Sequence, residues 1–350
     1  IMQTIEINKI PALTWNWMKM NKGSISDDFD LSVKEPAIQS NTNVEISKEG
    51  LITSLPFSVS ANGKQIEDII SQIVKNPQYI ELSKENTEPI IFNFEYDENE
   101  KSATSQIIHA QKDTNATLIY LYTSKNQECF SAIQTKVYLE ENAFVHIIKV
   151  QLLGANATQS DDTSFVCGEN AKAKFTQIEL GAKKVISGLH TTLYGYKSDF
   201  VSNVGYLCKD SQNLDMNHVV IHNGQKSTCN MNVNGTVKDE AVKVYRGTID
   251  FKNGCKGAKG NEMEETLLLS PKVVNKSIPI ILCDEEDVEG EHGCTIGKLS
   301  SDILFYMQTR GISETEIKKL MTKAKIMAVS DEIPNQEIKD KIEDFINKAI

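Results

Sequence analysis

Between Pro89 and Pro271 the chain contains no proline, and over most of that stretch apolar and polar residues alternate. The runs Thr117–Tyr122, Ala143–Ile148, Lys174–Leu180, Leu189–Tyr194, Phe200–Leu207, His218–His222, Thr228–Val233 and Val242–Ile249 carry the pattern. A period of two sends successive side chains to opposite faces, the mark of a strand with one buried face. Gly, Asn, Asp and Lys separate many of these runs. No pattern of ordinary helical length interrupts them, which argues against a fold that follows each strand with a helix. A sandwich or barrel remains, or a solenoid whose coils stack on one another. Asn230, Asn232 and Asn234 alternate as stacked rungs would have them, but the pattern alone leaves both architectures open.

The flanks read differently. Residues 1–105 mix short elements, among them an amphipathic helix over 63–75 with Ile66, Ile69, Ile70 and Ile73 at helical spacing. Pro77 ends it. After residue 300 the spacing predicts three helices. The first runs over 300–308 and stops at Gly311. The second starts at a capping box, Ser313 with Glu316 three residues on. The third follows Pro334 and carries Ile338, Ile342, Phe345, Ile346 and Ala349 on one stripe. The expected organisation is a mixed α/β region over 1–105, a β core over 106–299 and a helical domain over 300–350. A helical tail of this kind reads as a docking handle for a partner.

Charge narrows the function classes. Lys and Arg number 37 against 48 Asp and Glu, for a net charge of −11. Only two of the basic residues are Arg, at 246 and 310. Arg is the residue for bidentate phosphate recognition, so this chain is a poor candidate for nucleic acid or an anionic membrane. The seven cysteines are widely spread with no CxxC, which argues against a disulfide framework or a local zinc knuckle. Free thiols point to a reducing, cytoplasmic compartment. The first twenty residues lack a basic start followed by an apolar run, and no stretch approaches the ~18–20 apolar residues of a membrane span.

Few residues offer chemistry. His292 lies beside Glu291, with Gly290 and Gly293 close by, and its imidazole suits metal ligation or proton transfer; the competing reading is a surface histidine. Cys283 follows the apolar run Ile278–Leu282, nine residues before His292, and suits a soft metal. Against that, Asp284, Glu285 and Glu286 disfavour its thiolate, and a buried structural thiol is the competing reading. Cys255 and Cys294 sit in glycine-containing segments with no decisive spacing. His218 and His222 fall on a strand, about 13 Å apart, too far to share an ion. No phosphate-binding GxxxxGK[ST], no GxSxG and no HExxH is present.

From Val244 to Leu320 the landmarks are dense: Tyr245-Arg246-Gly247-Thr248-Ile249, Leu267-Leu268-Leu269-Ser270, Pro279 and Glu286-Asp287-Val288. His292-Gly293-Cys294-Thr295-Ile296-Gly297, Leu304-Phe305-Tyr306 and Thr309-Arg310-Gly311-Ile312 follow. This order resembles the SufB/SufD family of iron–sulfur cluster assembly proteins, and Pro11–Asn21 resembles the family's N-terminal segment. The resemblance implies a right-handed parallel β-helix core with a C-terminal helical domain. It also implies docking of a SufC-type ABC ATPase on residues 300–350 and pairing of two β-helices, with a SufB-type paralogue or as a homodimer. ATP hydrolysis would belong to SufC, and the chain itself would be a scaffold, not an enzyme. His292-Gly293 resembles the SufD branch. The SufB cysteine would fall near Glu264, which is no thiol, and the SufD cysteine two before the histidine is Gly290 here. The resemblance implies His292, with Cys283 or Cys294 and Glu291, as ligands of a transient iron–sulfur cluster. The alternative is a structural subunit that contributes no ligand. A polysaccharide-acting β-solenoid would need clustered Asp or Arg, and only Arg246 lies in the β region.

Overall fold

In a computed structural model, residues 2–12, 16–40, 45–47, 60–83, 88–125 and 128–349 are described. Leu13–Trp15 of the N-terminal landmark lie outside them. The chain begins with strands β1 (Gln3–Ile7), β2 (Gly23–Asp27), β3 (Ser32–Val33), β4 (Ala37–Gln39) and β5 (Glu45–Ser47), then helix α1 (Lys64–Ile73). Strands β6 (Gln78–Leu82), β7 (Ile90–Tyr96), β8 (Lys101–Ala110), β9 (Asn115–Ser124), β10 (Phe130–Leu139) and β11 (Phe144–Leu152) follow. Then come β12 (Thr158–Cys167), β13 (Lys172–Glu179), β14 (Lys184–Leu193), β15 (Asp199–Cys208) and β16 (Asn213–His222). The last strands are β17 (Thr228–Val237), β18 (Val242–Phe251), β19 (Ala258–Leu268), β20 (Val274–Cys283) and β21 (Val288–Gly297). Helices α2 (Ser301–Thr309), α3 (Glu314–Ser330) and α4 (Gln336–Ala349) close the described chain.

From β6 onward each strand pairs in parallel with the strand two places away, so even strands build one sheet and odd strands the other. The result is a parallel β-solenoid, which decides between the two architectures left open above. The parallel pairing starts at β6, upstream of residue 106. Inward side chains of both sheets form one long core, in which Phe92 stacks on Tyr120 at 4.8 Å and Phe165 lies 5.6 Å from Phe200. Burying each such aromatic or branched side chain stabilises the fold by roughly 1.5–3 kcal/mol.

The coils turn at a repeated corner. Asp113, Asn142, Asn170, Lys197 and Lys226 adopt φ of 60°, 58°, 52°, 53° and 55°, and Gly257 takes the same place at 75°. Each donates its backbone N–H to a carbonyl of the next coil, at 2.6–3.1 Å. The following residue is small and buried in every case: Thr114, Ala143, Ala171, Ser198, Ser227 and Ala258. The turns approach so closely that glycine is required between them. A Cβ on Gly195 would lie 2.1 Å from the carbonyl carbon of Gly168.

Both flanks lie against the outer faces. Ile5, Ile7, Ile25, Ile66 and Ile70 pack on Ala103, Phe130, Ala132 and Ile186 of the even sheet. The C-terminal helices cover the odd sheet, where Ile326, Val329, Ile338, Ile342 and Ile346 meet Ile119, Ile148, Val150 and Ile178. Glu332 pins that contact. It accepts from Thr176 Oγ1 and Asn203 Nδ2, each at 2.8 Å, and pairs with Lys174 at 3.3 Å. The predicted capping box forms, with Ser313 Oγ accepting from the Glu316 N–H. No helix among the described residues is long and apolar enough to cross a membrane.

Candidate functional site

The last coil holds the predicted residues. On β19 the burial alternates, turning Ala258, Gly260, Glu262, Glu264 and Thr266 inward. Parallel register places His292 over Glu262 and Cys294 over Glu264, so both face the solenoid interior. Two positions apart on a strand, they stand roughly 7 Å from each other along it. Glu291 lies over Asn261, with the opposite parity, and is turned to the outer face. Cys283 ends β20 beside Phe251, and its thiol donates to the Glu285 carbonyl at 3.0 Å. The chain turns back after it, and His292 lies four positions along the returning strand, roughly 13 Å from its start. The structure therefore brings His292 and Cys294 to one face and leaves Glu291 and Cys283 apart from them. Among the described residues no three His, Cys, Asp or Glu side chains converge to hold a metal ion.

Beneath these two lies a buried ion pair absent from the sequence reading. Lys243 Nζ pairs with Glu264, both side chains almost fully buried. Burial pushes the Lys243 ammonium below its usual range, although Glu264 opposes this. Burial works against the Glu264 carboxylate too, but Lys243 beside it overrides that and holds its pKa below the usual value. Thr266 Oγ1 also donates to Glu264, at 2.9 Å. Cys294 Sγ donates to the other carboxylate oxygen at 3.3 Å. Partial burial and the Glu264 charge push the Cys294 thiol up to about 11. Glu262, under His292, is pushed up to about 8 by burial, so it is largely protonated at neutral pH.

The family landmarks acquire physical roles here. Arg246 points outward and is 1% exposed. It donates to Met20 O at 2.7 Å and to Asp215 Oδ1 at 2.6 Å, fastening the N-terminal segment to the even sheet. Asn8 Nδ2 donates to the same Asp215 oxygen at 2.6 Å. The next residue, Gly247, faces inward where a Cβ would lie 1.9 Å from Glu262 Oε1. Leu268, Leu269 and Leu304 line a common pocket between the end of β19 and α2. Phe305 and Tyr306 remain 69% and 59% exposed. Inside the coils His218 and His222 are buried, with burial lowering their pKa to about 3 and about 4.

Residues 93–325 match the protein-family model described as SUF system FeS cluster assembly, SufBD core domain. The chain belongs to this family. It is similar to the iron-sulfur cluster assembly protein SufD of Bacillus subtilis (strain 168), 24% identical over 70% of this chain and 56% of that one. SufD of Plasmodium berghei (strain Anka) is 23% identical over 91% of this chain and 23% of its own length. SufB of Bacillus subtilis (strain 168) is 26% identical over 48% of this chain and 36% of that one. The chain thus spans little more than half the length of the SufBD relatives it matches, or less.

Proposed function

We propose that this SufBD chain is a SufD-like, non-enzymatic component of an iron–sulfur cluster assembly scaffold, with the nascent cluster as its cargo. The supporting observation is the placement of His292 and Cys294, two inward donors on a terminal strand with an open edge. Two donors do not enclose a cluster, so a second solenoid, from a SufB-type paralogue or another copy, completes the ligand set. A cluster iron would displace the proton of Cys294, and the adjacent Glu264 is placed to receive it. Glu291 and Cys283 are assigned lesser roles, since neither shares that face.

The helical domain would dock a SufC-type ATPase in the cytoplasm, and α2 is the element best suited. Helices α3 and α4 bury their apolar stripes on the odd sheet, whereas α2 buries none of its residues. Its Ile303, Phe305 and Tyr306 are exposed, where a partner could cover them.

Anaerobic reconstitution with the cognate ATPase and SufB-type partner tests the reading. Cluster formation, followed by visible absorbance, should fall strongly in His292→Ala and Cys294→Ala. Unchanged yield in both variants, with the complex intact, would leave the chain as a structural subunit that contributes no ligand.

A further inference from the structure

The corner column described above changes character along the solenoid. Its left-handed positions are Asp113, Asn142 and Asn170 in the earlier coils, then Lys197 and Lys226. Asn and Asp tolerate this backbone region; a long side chain such as Lys adopts it at a cost and rarely. Two lysines in adjacent coils, in register, form a feature that corner geometry alone does not call for. Strained positions held by a rigid frame concentrate at functional surfaces.

The side chains strengthen the point. Both ammonium groups lie over one ring, that of Tyr196, at 5.3 Å for Lys197 and 5.7 Å for Lys226. Neither has a carboxylate partner among the described residues, in a chain whose net charge is −11. Lys172, also exposed, opens an adjoining groove of about 770 Å³ shared with Phe144, Asn142, Asn170 and Lys197. Asp199, in register with Lys172 on the neighbouring strand, accepts from Thr228 Oγ1.

We propose that this corner groove binds an acidic, partly apolar peptide segment of a protein partner. The two lysines stand one coil, about 4.8 Å, apart at the backbone, and their long side chains can splay to reach carboxylates two residues, roughly 6.7 Å, apart on an extended peptide laid along the solenoid axis. Phe144 in the groove wall and the part of Tyr196 left exposed supply apolar contact that a bare phosphate does not use. The lack of Arg at the groove and the negative field of the whole chain disfavour a polynucleotide. This site is separate from the last coil and does not rest on the cluster reading.

The test is fluorescence anisotropy of a labelled peptide of alternating Glu and Leu, added to the full chain. Inorganic phosphate and a single-stranded DNA oligonucleotide serve as competitors. The peptide should bind, more weakly as salt rises, and neither competitor should displace it as well as unlabelled peptide does. Lys197→Gly with Lys226→Gly should weaken binding at least about tenfold. Because glycine relieves the left-handed backbone, the same variant should melt no lower than the parent chain. Lys197→Glu with Lys226→Glu should abolish binding. Equal peptide binding by either variant, no binding by the parent chain, or preferred displacement by phosphate or oligonucleotide overturns the proposal.

Discussion

The Cys294 thiol donates to Glu264 across one inter-coil step, at 3.3 Å, while Lys243 pairs with the same carboxylate from the opposite sheet. The only cysteine on the proposed ligand face is therefore coupled to a buried charge, and its reactivity should report on that pair.

Thiol labelling reads the coupling directly. Cys294 is pushed up to about 11, first by burial and then by Glu264. Both Cys283 and Cys294 are exposed, yet at pH 8 iodoacetamide should modify Cys294 the more slowly because its thiol is held protonated, as followed by peptide mass spectrometry. Glu264→Gln removes the carboxylate and leaves Lys243 beside the thiol, so Cys294 should then react several-fold faster. An unchanged rate would mean that burial alone sets it.

Breaking the ion pair should be costly. Lys243→Met leaves Glu264 charged and unpaired in the interior, which costs about 3–5 kcal/mol. Denaturant unfolding should show that loss, and adding Glu264→Leu should recover most of it. A single variant within ~1 kcal/mol of the parent chain would show that water reaches the pair.

Arg246 offers a separate measurement. Arg246→Met removes the charge partner of Asp215, leaving it the Asn8 amide, and frees the carbonyl of Met20. Limited proteolysis should then cut the segment before residue 23 while the coils stay intact. Arg246→Lys should rescue this only in part, because an ammonium cannot reach both partners in the same fork.

The pH dependence of stability has a defined sign. Burial raises Glu179 from 4.5 to about 8, and its Oε2 has no partner. The folded chain then holds a proton there that the unfolded chain gives up from about pH 4.5 upward. The stabilisation is complete below that value and fades as pH rises towards 8, by at most ~1.4 kcal/mol per unit. Glu179→Gln should flatten the fall, so the melting temperatures of variant and parent should diverge progressively between pH 5 and 8.

The strand runs and terminal helices were legible because periods of two and 3.6 survive in single side chains. Ser313 with Glu316 announced its helix start, and the structure forms both bonds of that box. The coil period was legible only in part. The corner signature, a left-handed residue followed by a small buried one, recurs at Asp113-Thr114, Asn142-Ala143, Asn170-Ala171, Lys197-Ser198 and Lys226-Ser227. It escapes notice because the first member changes from Asn to Lys and the second from Ala to Ser.

At the site, alternation alone would have separated Glu291 from His292 and Cys294. Lys243 carried a subtler signal. It shares the parity of Tyr245, Ile249 and Phe251, an inward set in which a lysine requires a buried acid. Naming that acid required knowing which residue of β19 faces Lys243 of β18 across the core, a contact no local pattern encodes.

Stacked coils touch only their neighbours, so opening an inner coil breaks two interfaces and opening the last coil breaks one. Resistance to local opening therefore declines towards the end that carries His292 and Cys294. A cargo bound there, as proposed, would be taken up or surrendered by loosening a single rung, with the Lys149–Asp161 interior pair and the coils around it undisturbed.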